Sequence, residues 1–409
     1  MAAIPAPGPS TAPAAVEFDP FSADFFEDPY ATYRRLRDEA PVYHSRRYGF
    51  YALSRYDDVV AAHRDWETFS SSHGVDLSML SRPPEEARAL RSIIMMDPPA
   101  HDRLRGLVNR VFTPRAVAGL EPMVRHVIGG YLDGLDGPFD AVADFAGPFP
   151  VEIICRMLGV PAGDRQQIRH WIDVQLHRQP GDMHPTEAGT RAGYEMGAYF
   201  YELVAAKRRQ PADDMLTRLT QVEVDRGDGR TTALDDAEIA GFAALLGGAG
   251  AETVTKLVGN AVVLFDRHPD QWQLVGDDPG RIPQAVEELL RYWPPSQYQG
   301  RFSQRDAHLH GQTIPAGHPV LLITGAATRD ERAFADPDRF DVTRRPGLAI
   351  GFGHGVHSCL GAALARLESR VALEELGRRW PRYRVDVNGL RRVQMANVAG
   401  YSNVPVTPG

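Results

Sequence analysis

The chain is poor in several things at once. It has two cysteines in 409 residues, Cys155 and Cys359, far apart and in unlike surroundings. That excludes a disulfide framework and any site built on a cysteine quartet, and it fits an intracellular, cytoplasmic protein. It has no apolar run long enough to span a membrane. Basic residues do not exceed acidic ones: 45 Lys and Arg stand against 53 Asp and Glu, a formal net charge of -8. A general nucleic-acid binder needs a basic surface and is excluded. There is no repeat at a fixed period. No basic residue and no long apolar run occur in "MAAIPAPGPSTAPAAVEFDP", so the start is neither a signal peptide nor a membrane anchor. Residues 1–16 read as a disordered leader. No later stretch rich in Pro, Gly or Ser is long enough to separate a pair of cores, so residues 17–409 read as one domain.

What is present is mostly helical periodicity. "DPYATYRRLRDEA" reads as a short helix opened by Asp28, with Pro29 at its first position. "PVYHSRRYGFYALSRY" alternates around a turn and predicts a hairpin. "YDDVVAAHRD", "PAHDRLRGLVNRVF" and "VEIICRMLGVP" read as helices, the last stopped by Gly159 and Pro161. Residues 70–95 read as a long loop holding one short helix. The longest pattern runs from Asp235, with Glu238 completing a capping box, to about Phe265. Its middle, "GGAGAET", is poor helix sequence, which predicts close approach or distortion there. Strand-like pieces follow "PQAVEELLRYWPP" and return at the C-terminus. Helix dominates, with small peripheral sheets.

Cys155 fits a small buried hydrophobe. Cys359 does not. In "GFGHGVHSCLGAALARLE" it stands just before a helix, where unpaired amides and the dipole favour a thiolate. Gly353, Gly355 and Gly361 remove side chains on both flanks and let backbone lie against something large and flat. Structural zinc lacks its other ligands here: His354 and His357 are near, but there is no second cysteine and no HxxxH pair. A cysteine nucleophile with its base elsewhere in the chain stays open. Single thiolate ligation of a haem iron fits the spacing better.

Phe352 to Gly361 match F-x-x-G-x-[HR]-x-C-x-G, and the chain resembles the cytochrome P450 family, in its soluble bacterial form, from about Phe18 onward. The resemblance implies a mainly α, single-domain P450 fold with a long central helix over the haem. It implies haem b, iron protoporphyrin IX, with Cys359 as the axial ligand of the metal and Phe352, Gly353 and Gly361 around it. Ala249-Gly250-Ala251-Glu252-Thr253 matches A-G-x-[DE]-T. There Gly250 permits a local opening of the helix, and Glu252 and Thr253 relay protons to dioxygen. Lys256 departs from the polar amide common at that place and can pair with Glu252 one turn back. Glu288 and Arg291 match E-x-x-R, and Arg339 of "DPDRF" completes a buried structural network. His101, Arg105, Arg301 and His357 match haem propionate ligands.

The pocket is expected from Met79, Leu80, Ile93, Ile94, Ala244, Leu245, Gly248, Gln297, Tyr298, Val398 and Tyr401. The implied reaction is insertion of one atom of dioxygen into a hydrophobic small molecule. Electrons come from a separate ferredoxin and ferredoxin reductase, since the chain itself has room for neither a flavin nor an iron–sulfur cluster. Arg105, Arg110, Arg366 and Arg370 are expected to meet that acidic carrier. A monomer is expected, with no nucleic-acid partner. Tailoring of a polyketide or other secondary metabolite, and hydroxylation of a steroid, fatty acid or xenobiotic, stand side by side. Peroxide-driven chemistry is disfavoured by the intact Glu–Thr pair. A haem-thiolate binding or sensor protein without turnover is the alternative of a different class.

Overall fold

Eight helices frame the region of interest: α1 (Tyr56–Arg64), α2 (Ala100–Val108), α3 (Pro148–Leu158), α4 (Arg165–Leu176), α5 (Glu187–Arg209), α6 (Asp236–Arg267), α7 (Ile282–Tyr292) and α8 (Ala362–Arg379). They come from a computed structural model that describes residues 15–82, 92–225, 231–345 and 347–409. Most of the expected leader, residues 1–14, lies outside the described residues.

The long helix α6 starts as its sequence predicts. The Asp235 carboxylate accepts from the Glu238 N–H at 2.8 Å, and Glu238 accepts from the Asp235 N–H at 2.9 Å. At 32 residues α6 is about 48 Å long, enough to cross the molecule. Its second half is buried all round: Val254, Leu257, Val258, Ala261, Val262, Leu264 and Phe265 sit in the largest apolar cluster. Helices α3, α4, α5 and α8 pack against it, and α8 packs on α7. Each fully buried large aliphatic or aromatic chain contributes roughly 1.5–3 kcal/mol, so this helix anchors the fold.

The "GGAGAET" segment stays α-helical throughout, without the expected opening at Gly250. Nor does close approach demand these glycines, since an added Cβ would make only ordinary contacts. A Cβ on Gly250 would meet Ile154 of α3 at 3.6 Å, and one on Gly247 would meet Ile168 of α4 at 3.7 Å. Helix α3 ends as expected at Gly159, which is left-handed at φ 83°.

The hairpin forms as β1 (Val42–Ser45) and β2 (Phe50–Leu53). With β3 (Phe69–Ser70), β4 (Gln299–Ser303) and β5 (Pro319–Leu322) it makes a five-stranded sheet in the order β1-β2-β5-β4-β3. Only β2 and β5 run parallel in that sheet; the other neighbours are antiparallel. The early helix is Tyr30–Glu39, with Pro29 just before its first turn and Asp28 Oδ1 accepting from the Tyr30 N–H at 3.0 Å. The long loop carries the turn Leu77–Leu80 and the 3-10 turn Ile93–Met95, and residues 83–91 of it lie outside the described residues.

Candidate active site

The loop before α8 is built by close approach. The Cys359 N–H donates to the Phe352 carbonyl at 2.8 Å, which folds residues 352–359 back on themselves. Gly353 and Gly355 have φ 68° and 70°, a region that other L-residues rarely adopt. A Cβ on Gly355 would run into the His63 carbonyl of α1, and one on Gly351 would stand 2.9 Å from the Leu290 carbonyl of α7. Gly351 and Gly355 therefore wedge the loop between α1 and α7. Gly361 differs: nothing in the protein lies within 4 Å of where its Cβ would be.

Cys359 is exposed where Cys155 is buried. Burial of its surroundings pushes the Cys359 thiol above its ordinary range; the Gly361 N–H and the Arg105 and Arg366 guanidinium groups pull the other way. Phe352 lies under the Arg366 guanidinium, 4.6 Å from its ring centre.

Three imidazoles and one guanidinium gather beside this loop. His101 and His357 have ring centres 4.4 Å apart. Nε2 of His101, Nε2 of His357 and both ring nitrogens of His63 are buried without a well-formed hydrogen bond. Arg301 is buried, donates only to the Gly300 carbonyl, and has no ion pair among the described residues. Burial lowers Arg301 to about 10, and burial followed by the Arg301 charge lowers His63 and His357 to about 3. Orphaned buried donors around an unpaired cation call for anions. Two carboxylates, such as haem propionates, fit this donor set. Arg105 is placed differently: it donates to the Ser358 carbonyl at 2.7 Å and to Asn109, over the cysteine loop.

Across α6, Ala249 is exposed in mid-helix, with Ala244, Leu245, Gly248, Gly250 and Thr253 half-buried around it. Small side chains leave this face open. The Thr253 hydroxyl donates to the Ala249 carbonyl at 2.9 Å. Glu252 is buried and pairs with Lys256 Nζ at 2.6 Å, the contact expected from their spacing. Burial raises Glu252 to about 7, opposed by Lys256 and reinforced by Asp173.

The E-x-x-R pair is fully buried, with Arg291 donating to both Glu288 oxygens at 2.7 and 2.8 Å. Arg291 also donates to the carbonyls of Thr328, Pro337 and Arg339. Here the expectation for Arg339 is corrected. Its side chain is 67% exposed, and only its carbonyl joins the network. The second guanidinium near Glu288 is that of Arg344, at 3.5 Å.

Several expected pocket residues are committed elsewhere. Gln297 is bonded to Tyr33 and to the Pro294 carbonyl, and Tyr298 donates to the Ala396 carbonyl. Tyr401 is buried beneath Arg392, and Val398 is buried in a bridge with Ser296. These therefore offer no free polar handle. Leu80 packs against Gly300 of β4, Met79 against Gly74. Ile93 lines a small apolar cavity with Leu104, Leu107 and Phe242, and Ile94 is half-buried. Among the proposed docking arginines, Arg370 is neutralised by Glu121 and Glu374, and Arg366 pairs with Glu287. The side chain of Arg110 lies outside the described residues.

Sequence reasoning missed His63, Arg344 and Asp173. The one signal for His63 is its place on the buried face of α1, four residues after Val59.

A cysteine on a glycine-shaped loop, an anion-hungry cradle beside it and an open helix face carrying Thr253, with Glu252 buried next to it in sequence, fit a haem-thiolate protein. Comparison with known proteins agrees. The cytochrome P450 family model matches residues 282–389. Vitamin D(3) 25-hydroxylase of Pseudonocardia autotrophica is 38% identical over 96% of this chain and 97% of its own length. Erythromycin C-12 hydroxylase of Saccharopolyspora erythraea is 40% identical over 91% of this chain and 93% of its own. A solved structure of a mutant of P450 EryK with erythromycin B superposes with a TM-score of 0.83 at 39% identity, covering 93% of this chain and 96% of that one. The chain belongs to the cytochrome P450 family, and it is a haem monooxygenase. No helix among the described residues is long and apolar enough to cross a membrane.

Proposed function

We propose that residues 17–409 act as one catalytic unit, a cytoplasmic monomer, that hydroxylates a bulky alicyclic or macrocyclic substrate. The open face of α6 carries this reading. Ala244, Gly248 and Ala249 leave room beside Thr253, and two relatives with this architecture are named for hydroxylating a secosteroid and a macrolide. With its expected polar handles committed to packing, the pocket would select by shape and apolar contact.

Cys359 would hold haem b through its thiolate, with Phe352 and Gly361 beside it in the same loop, and His101, His357, Arg301 and His63 would hold its propionates. Arg105 would brace the cysteine loop through Ser358. When bound, the haem supplies the iron at which dioxygen is split with electron push from the thiolate. The protein's part is to exclude water, hold the substrate and deliver protons. Glu252 is the acid and Thr253 the hydroxyl that hands protons on. Electrons would come from a ferredoxin and its reductase, docking over Arg105 and Arg366.

The test is reconstitution with ferredoxin, ferredoxin reductase and NADPH. Spin-state titration with vitamin D3, erythromycin B and a steroid panel ranks the substrates. The red-shifted Soret band of the reduced carbon-monoxide complex should vanish in Cys359→His. Thr253→Ala should keep NADPH consumption while product per NADPH falls. Unchanged coupling in that variant would remove the relay assignment, and binding without any product would favour the sensor reading.

A further inference from the structure

A cavity of about 380 Å³ lies between α4, α6, the turn around Val142 and the C-terminal segment 392–402. Thr253 and the small residues of the open α6 face do not line it, so it is separate from the proposed substrate pocket. Its volume falls within the range of small-molecule sites, about 300–1,000 Å³. Part of the wall is apolar, from Val142, Val393 and Met395. The walls are tied by backbone next to the cavity. The Arg178 N–H donates to the Gln394 carbonyl at 2.8 Å, and His177 bridges Met395. Gly400 lies against Lys256, where a Cβ would stand 2.7 Å from Lys256 Cβ. The site is therefore preformed.

The lining carries three cations, Arg169, Lys256 and Arg392, and two carboxyl groups, Asp173 and Glu252, with His177 as the other titratable side chain. Even with both carboxyl groups ionised, one positive charge is left over. The cations are not equally free. Lys256 is spent on Glu252 at 2.6 Å. Arg169 has no ion pair among the described residues. The nearest carboxylate to Arg392 is Glu27, 3.9 Å away and 75% exposed, where solvent screens the pair. The Arg392 guanidinium is stacked against Trp293 and Tyr401, 4.4 and 4.2 Å from their ring centres, which fixes its plane. Its in-plane N–H groups are the ones that grip a carboxylate by parallel bonds. The Arg392 Nε is buried and has no hydrogen-bond partner among the described residues. A buried donor of this kind calls for an acceptor.

We propose that this cavity is a second binding site, for a small organic monocarboxylate. The ligand carboxylate lies in the plane of the Arg392 guanidinium, with Arg169 on the α4 wall as the second free cation. The hydrocarbon end rests on Val142, Val393 and Met395. One negative charge matches the excess on the wall, and the apolar surface favours an organic acid over inorganic phosphate. Asp173 opposes the ligand, while Glu252 is masked by Lys256. The proposal does not depend on the relay reading of Glu252 and Thr253.

The test is equilibrium dialysis of radiolabelled hexanoate against the ferric holoenzyme, with the pocket over the haem filled by clotrimazole, an azole that ligates iron. Hexanoate should still bind and should leave the Soret band of the azole complex unmoved. Arg169→Gln and Arg392→Gln should each weaken binding by about tenfold or more, the usual worth of a hydrogen bond to a charged group. Arg392→Lys should restore only part of the loss, because lysine lacks the planar fork. Asp173→Asn should tighten binding, which a merely structural role for Asp173 would not do. From acetate to hexanoate, each methylene buried should tighten binding by up to about fourfold. Should Arg392→Gln fail to fold, Arg169→Gln on the half-buried face of α4 carries the test. Loss of binding on adding clotrimazole would place hexanoate over the haem and overturn the second site. Equal binding in wild type and both glutamine variants, or none at millimolar hexanoate, would overturn it as well. Displacement of hexanoate by equimolar inorganic phosphate would overturn the assignment to a monocarboxylate.

Discussion

Glu288 accepts two bonds from Arg291 and one from the Asp341 N–H at 2.9 Å, all out of water. Removing one member of such a pair strands the other charge. Arg291→Ala or Glu288→Gln should cost about 3–5 kcal/mol in urea unfolding of the holoenzyme. Arg344→Ala should cost less, since its contact is longer and Arg344 is also held by the Ala335 carbonyl. Arg339→Ala should fall within about 0.5 kcal/mol of wild type, as surface changes do. This ordering separates what a motif says from what a structure says. "E-x-x-R" was legible because its two residues are one helical turn apart. The third member was not, because Arg339 and Arg344 lie on the same irregular stretch. Only the turn of the chain decides which guanidinium points inward. The same holds for His63, whose partners are Gly353, Gly355 and Arg301, some 240–290 residues away in sequence. No local spacing can encode a contact of that range.

At the scale of elements, the sequence was most informative where periodicity is long and caps are explicit. The capping box at Asp235 and Glu238 set the start of α6, and the apolar pattern carried it to within two residues of its observed end. The glycines were harder, since one residue type serves three needs. Gly353 and Gly355 supply a left-handed backbone, Gly351 and Gly355 allow a neighbour to come close, and Gly361 does neither within the protein. The difference can be measured. Gly355→Ala combines positive φ with a clash against the α1 backbone and should destabilise the haem-free protein by about 1–3 kcal/mol. Gly361→Ala should leave the haem-free protein within about 0.5 kcal/mol of wild type. Its effect should surface only as faster transfer of haem to an acceptor such as apomyoglobin. Equal losses for both in thermal unfolding of the haem-free chains would mean that Gly361 has a packing role within the protein.

At the scale of the whole molecule, buried imidazoles and buried carboxyl groups make stability depend on pH in opposite senses. His63 is held neutral down to about 3, while an unfolded imidazole titrates near ~6.5. Between those values the unfolded chain binds more protons, so stability falls as pH drops, by up to about 1.4 kcal/mol per unit. Glu252 is raised to about 7, against ~4.3 for an unfolded glutamate. There the native state binds more protons, so stability falls as pH rises through that window. His357, lowered like His63 to about 3, adds a second slope of the same sign, so the imidazoles outweigh Glu252 between pH ~4.3 and ~6.5 and act without it below that range. The haem-free protein should therefore lose stability gently as pH falls below ~6.5 and more steeply below ~4.3. Chemical denaturation across pH 3–8 should show His63→Gln flattening the acid limb and Glu252→Gln removing the decline toward neutrality. Haem should change only the first of these. Propionates beside the imidazoles favour their protonated form, so the loaded enzyme should lose less stability on acidification than the haem-free chain. An acid limb equally steep with and without haem would place the propionates away from His63 and leave its orphaned nitrogens to another anion.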